Sequence, residues 1–233
     1  MYPQLPQSGT LRVCDLCCGK SYLTFAVYTY LTEIMGREVE MCGMDLKQDV
    51  IAFCQKTADA LQCRGMHFVC GDIGNYTPAQ PPHLIISLHA CDTATDLVLY
   101  HATRLGAKVI LSTPCCHHEM FHQLNAGPCD SALSPILEHS MLAQKLADCA
   151  TDALRVKWLE YMGYKVSVLE LIDPDETPKN LMIRAIKSAT PDPKKQEAAK
   201  RAYDALCAFL NVEPYLKKLT GFPNEQLKTE ENE

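Results

Sequence analysis

Short apolar runs recur along the chain, and the residues between them fall at helical spacing. Seven runs read as strands: Leu11 to Asp15, Val39 to Asp45, Met66 to Cys70, Leu84 to His89, Lys108 to Thr113, Lys165 to Ile172 and Asn180 to Lys187. Between the first two, Leu23, Val27, Tyr30, Leu31 and Ile34 share a helical face, and after the second Val50, Cys54, Ala58 and Leu61 do so. A longer helix is predicted from about Ser140 to Met162, stopped by Gly163. Alternating strands and helices imply a parallel α/β sheet with helices on both faces. The last two strands are different. Only Asp173 to Lys179 joins them, too short for a parallel crossover, so they are expected to form an antiparallel hairpin. Beyond Lys187, Pro191 and Pro193 mark a linker into a charged helix, roughly Lys194 to Leu210, and a polar tail. The expected division is an N-terminal extension, 1–10, an α/β domain, 11–188, and a helical surface appendage with its tail, 189–233.

Composition narrows this picture. A chain of 233 residues with 47% hydrophobic content suits one α/β domain with a well-buried core. Its 13 cysteines are odd in number and often adjacent, as in Cys17-Cys18 and Cys115-Cys116, and no secretory segment precedes them. The expectation is therefore a reduced, cytoplasmic protein. No apolar run is long enough for a membrane span. The net charge of −6 argues against wide electrostatic wrapping of nucleic acid, while Lys20, Lys47, Lys179, Arg184, Lys194 and Lys195 still allow a basic rim. Oligomeric state is not encoded in any of these patterns.

The first strand runs directly into the segment Asp15-Leu16-Cys17-Cys18-Gly19-Lys20-Ser21-Tyr22. An acid, a tight turn and a helix start make a cofactor loop, because the first N–H groups of the helix stay unpaired. A dinucleotide needs G-x-G-x-x-G for close approach of its pyrophosphate, and only Gly19 is present here. The pattern instead resembles acid-x-G-x-G-x-G of class I methyltransferases, which bind S-adenosylmethionine (SAM). Asp15 is the acid, and Cys17, Gly19 and Ser21 take the three glycine positions.

Asp45 closes the second strand, where a carboxylate accepts both hydroxyls of a ribose. Asp72 and Ile73 follow the third strand, at the position that faces the adenine in methyltransferases. Lys20, Tyr22, Leu46 and His89 complete the expected cofactor set with Asp15, Cys17, Gly19, Asp45, Asp72 and Ile73. The fourth and fifth strands end in His89-Ala90-Cys91-Asp92-Thr93-Ala94-Thr95-Asp96 and Pro114-Cys115-Cys116-His117-His118-Glu119. Ligands of open α/β sheets bind beyond the carboxyl ends of the strands, so these two blocks are expected to converge near the transferred group.

Together, Asp15 to Tyr22, His89 to Asp96, Pro114 to Glu119 and Thr177-Pro178-Lys179-Asn180 resemble a bacterial branch of class I SAM-dependent methyltransferases. More distantly, the second and third blocks are similar to eukaryotic tRNA ribose methyltransferases that act on the acceptor stem, and to a glutathione-transferase C-terminal-domain-containing protein. The resemblance implies a Rossmann-like seven-stranded sheet of order 3-2-1-4-5-7-6, SAM as methyl donor with S-adenosylhomocysteine as product, and RNA as the favoured acceptor.

Methyl transfer is an in-line displacement in which the enzyme chiefly supplies alignment. A hydroxyl acceptor also needs a base. His89, Asp92 and His117 are the candidates for orienting or deprotonating the acceptor, with Pro114, Cys115 and Cys116 shaping its pocket. A SAM-binding module without activity and a nicotinamide-dependent oxidoreductase are the rival readings. The cysteines and histidines of these blocks also invite a zinc reading. No C-x₂-C pair recurs at finger spacing, and adjacent Cys115 and Cys116 are awkward ligands for one tetrahedral ion, so no metal is expected.

Overall fold

The computed structural model describes residues 2–88, 90–126, 132–170 and 180–221. The seven apolar runs form β1 Leu11–Leu16, β2 Val39–Asp45, β3 Met66–Cys70, β4 Leu84–Ser87, β5 Val109–Ser112, β6 Tyr164–Glu170 and β7 Leu181–Lys187. They build one sheet of order β3-β2-β1-β4-β5-β7-β6. The first five pair in parallel, and β7 lies antiparallel between β5 and β6. This is the Rossmann-like class I methyltransferase sheet that the motifs imply. The connecting segment Asp173 to Lys179, His89 and the polar tail lie outside the described residues.

Eight α-helices accompany the sheet among the described residues: α1 Tyr22–Thr29, α2 Gln48–Ala60, α3 Thr93–Arg104, α4 His118–Asn125, α5 Ser134–Leu137, α6 Ser140–Tyr161, α7 Pro193–Leu210 and α8 Tyr215–Thr220. Side chains alternate across each strand. Val13, Met41, Leu84 and Ile86 pack toward Phe25 and Leu31 after β1, toward Ala58 of α2, and against Leu5 of the N-terminal extension. Cys14, Cys42, Ile85, Ile110 and Ile183 point the other way, into a larger core with Leu99 of α3 and Leu154 and Trp158 of α6.

Two features depart from the expected layout. The β3–β4 connection holds a single 3-10 turn, Ile73–Asn75, in place of a helix, and Pro78, Pro81 and Pro82 leave no room for one. A cavity of about 320 Å³ remains beneath this strap, lined by Cys14, Cys42, His67 and Tyr76 among others. The segment expected to be a surface appendage is also corrected. Tyr203, Cys207, Leu210, Val212 and Leu216 are buried members of the larger core. Apart from Val212, in the connection between the helices, they sit on the inner side of α7 and α8, a stripe hidden in the sequence by the charged residues of the outer side. No helix among the described residues is long and apolar enough to cross a membrane.

Candidate active site

Beyond β1 the chain turns through Cys17, Gly19 and Ser21, whose φ angles are +65°, +52° and +61°. All three motif positions are therefore left-handed, although two carry side chains. Such a conformation costs a non-glycine residue roughly 1–3 kcal/mol, and the surroundings hold it in place. Cys18 N–H donates to Met44 C=O at 2.9 Å and Ser21 N–H to Cys18 C=O at 2.8 Å. Gly43 makes space for the loop: a Cβ there would stand 2.4 Å from the Phe68 ring and 3.3 Å from Cys18 Sγ. Ser21 gives α1 no side-chain cap, which leaves first-turn N–H groups to solvent or a ligand.

Asp15 is only 1% exposed. Its Oδ2 accepts from Thr24 Oγ1 at 2.5 Å, while its Oδ1 is buried with no hydrogen-bond partner among the described residues. Burial pushes its carboxyl up to about 7, against the Thr24 bond, and the nearby Asp45 charge adds to the rise. Asp45 closes the opposite wall. Its Oδ2 accepts from Gly19 N–H at 3.0 Å and its Oδ1 from Lys47 N–H at 3.1 Å. The acid of β2 thus clamps the central glycine of the β1 loop.

Asp72 caps the 3-10 turn by accepting from Gly74 N–H at 2.9 Å, and Ile73 beside it is buried in the larger core. Burial pushes the Cys17 thiol up to about 12, with the charges of Asp45, Asp15, Cys91 and Asp72 acting in the same direction. Lys20, Tyr22 and Leu46 stand at the rim, Tyr22 69% and Leu46 72% exposed. Exposed apolar side chains beside a polar crevice are suited to covering a ligand.

The β4 and β5 ends are tied together: Thr113 N–H donates to Ser87 C=O at 3.0 Å and Thr113 Oγ1 to Leu88 C=O at 3.1 Å. Asp92 has φ +52° and ψ −123°, a strained conformation fixed from two sides. Both carboxylate oxygens lie 3.2 Å from Glu119 N–H in the first turn of α4, and its C=O accepts from Arg155 Nη2 at 2.9 Å. Arg155, 1% exposed, also donates from Nε to Asp96 Oδ1 at 2.7 Å and from Nη1 to Asp152 Oδ1 at 3.1 Å. Burial pushes the Asp96 carboxyl up while the Arg155 charge opposes this.

His117 belongs to the same network. It is 4% exposed, with Nδ1 2.9 Å from Asp148 Oδ1 and Nε2 3.1 Å from Asp152 Oδ1. Both ring nitrogens thus face acids of α6, and the ring ties the Pro114 block to that helix. Sequence reasoning missed Arg155, Asp148 and Asp152, although their i, i+4, i+7 spacing on an otherwise apolar helix face was visible. Pro114 is buried beside them, and Cys115 and Cys116 are half-buried. Cys91 Sγ lies 3.2 Å from Cys115 Sγ, which is 3.6 Å from Cys116 Sγ.

Comparisons with known proteins agree with this architecture. The CMeT domain of the citrinin polyketide synthase superposes with a TM-score of 0.50 at 16% identity, covering 81% of this chain and 50% of that one. The glycopeptide N-methyltransferase MtfA, solved with SAM, gives a TM-score of 0.50 at 12% identity, covering 81% and 84%. Among curated proteins, the human glutathione S-transferase C-terminal domain-containing protein is 23% identical over 193 residues, 74% of this chain. The bovine protein of the same name is 22% identical over the same length. The chain spans about 29% of the length of these relatives. The family described as a methyltransferase domain matches residues 2–123, just over half of the chain and the stretch that holds β1 to β5 and most of α4. The chain belongs to the methyltransferase-domain family.

Proposed function

We propose that the chain is a SAM-dependent methyltransferase of the cytoplasm that methylates RNA, with tRNA the first acceptor to test. The observation that carries the cofactor reading is the clamp between Gly19 N–H and Asp45 Oδ2, set in a loop whose three glycine positions are all left-handed. In this reading Asp45 turns from the loop to the ribose hydroxyls, and Asp72 and Ile73 take the adenine. Lys20, Tyr22 and Leu46 close over the ligand with Cys17. Asp15 Oδ1, buried and short of a donor, is satisfied by the cationic amino-acid end of SAM. The sulfonium supplies the methyl group. His89 or Asp92 orients or deprotonates the acceptor, and Pro114, Cys115 and Cys116 shape its pocket, which His117 steadies.

The RNA acceptor rests on the resemblance of the His89 and Pro114 blocks to tRNA methyltransferases. Mass-spectrometric comparison of modified nucleosides from cells with and without this chain tests it: one methylated nucleoside is expected to disappear. An unchanged set, with transfer from labelled SAM to protein or small molecules, would overturn the RNA reading. The strain at Cys17 and Ser21 favours one rival, a SAM-binding module without turnover, which would bind S-adenosylhomocysteine yet transfer no label to any acceptor.

A further inference from the structure

We propose that Cys91, Cys115 and Cys116 form a zinc site at the carboxyl ends of β4 and β5. The three sulfurs all lie within 4.8 Å of one another, with two separations of 3.2 and 3.6 Å. Zinc–thiolate bonds of about 2.3 Å in tetrahedral geometry require sulfur–sulfur edges of about 3.8 Å, and both separations lie within about 0.6 Å below that edge. A disulfide, by contrast, needs about 2.05 Å. The sequence objection to adjacent cysteines is met by the structure, because Cys115 and Cys116 bring their sulfurs together along one side of the turn instead of opposing them.

The setting is built for a fixed donor set. Cys115 and Cys116 follow Thr113, whose N–H and Oγ1 are bonded to Ser87 and Leu88 of the β4 end. Downstream, His117 Nε2 is hydrogen-bonded with Asp152 Oδ1 at 3.1 Å. Cys91 precedes Asp92, which is pinned by Glu119 N–H and Arg155. Thr113 before Cys115, His117 after Cys116 and Asp92 after Cys91 are thus each held by the fold, as a metal site demands. Cys91 is exposed and the other two half-buried, so an ion can enter from solvent. Three sulfur donors select a borderline-soft ion such as Zn²⁺ over Mg²⁺ or Ca²⁺. They supply three corners of the tetrahedron. A bound ion would lock the β4–α3 loop to the β5–α4 loop.

The test uses the full chain, purified reduced, without affinity tag or chelator. About one zinc per chain is expected by elemental analysis. Replacing zinc with Co²⁺ should give thiolate-to-metal charge-transfer bands and intense tetrahedral d–d bands. Cys91→Ser, at an exposed position, should lower zinc affinity at least tenfold and abolish the zinc-induced rise in thermal midpoint. Cys149→Ser, exposed on α6, should change neither. Metal-free protein that gives no cobalt bands on titration would overturn the proposal, as would bands unchanged by Cys91→Ser, or a Cys91–Cys115 disulfide found in the reduced preparation. None of these readouts depends on methyl transfer, so the zinc site and the methyltransferase reading fail separately.

Discussion

Cys17 and Ser21 hold left-handed backbone that glycine adopts without strain. Cys17→Gly should therefore tighten S-adenosylhomocysteine binding and leave the fold intact. Unchanged or weaker affinity would show that the cysteine contributes contacts worth more than its strain. Asp15 makes a second residue-scale prediction. Its folded carboxyl is raised from 3.8 to about 7, so the native state keeps a proton that the unfolded chain releases. Its stabilising contribution is complete below about pH 4 and is lost as pH rises through about 7. The loss is on the order of 4 kcal/mol at most. Asp15→Asn, which can still accept from Thr24, should be more stable than the parent at pH 8 in the absence of ligand. Denaturant titrations should show that advantage shrinking toward pH 4, and an advantage independent of pH would contradict the assignment.

Among the elements, α6 does more than cover the sheet. Through Arg155 it holds Asp96 of α3 and the backbone of Asp92, and through Asp148 and Asp152 it holds His117. Removing one partner of such a buried network strands the others and costs roughly 3–5 kcal/mol. Arg155→Met should therefore lower stability by about that amount, measured by urea unfolding. Adding Asp96→Asn should recover part of the loss, because it removes one stranded charge; additive losses would argue against the coupling. The strand elements were legible in advance because each apolar run ends in a polar or turn residue. The short hairpin connection also gave the antiparallel edge. The role of Arg155 was not legible, although its spacing with Asp148 and Asp152 stands in the sequence, because only the fold brings Asp96 of α3 and the Asp92 backbone onto it. The thiol trio was visible as residues, but only the fold brings Cys91 onto Cys115.

At the scale of the whole molecule, the domain continues past the hairpin. Tyr203, Cys207 and Leu216 join the same core as Ile85 and Ile110, so the C-terminal helices are part of what supports the β4 and β5 ends. Charge content had suggested a surface segment because net polarity conceals a one-sided apolar stripe. The family and fold followed from local motifs, since strand order and loop chemistry are tied together in this architecture. The acceptor did not, because recognition depends on surface shape and on side chains spread across several loops. The central claim is that the β1 loop and Asp45 form a SAM site. Isothermal titration of S-adenosylhomocysteine tests it most directly. One-to-one binding is expected, weakened at least tenfold in Asp45→Ala, with no heat from a nicotinamide dinucleotide. Absent binding, or equal affinity in Asp45→Ala, would contradict it.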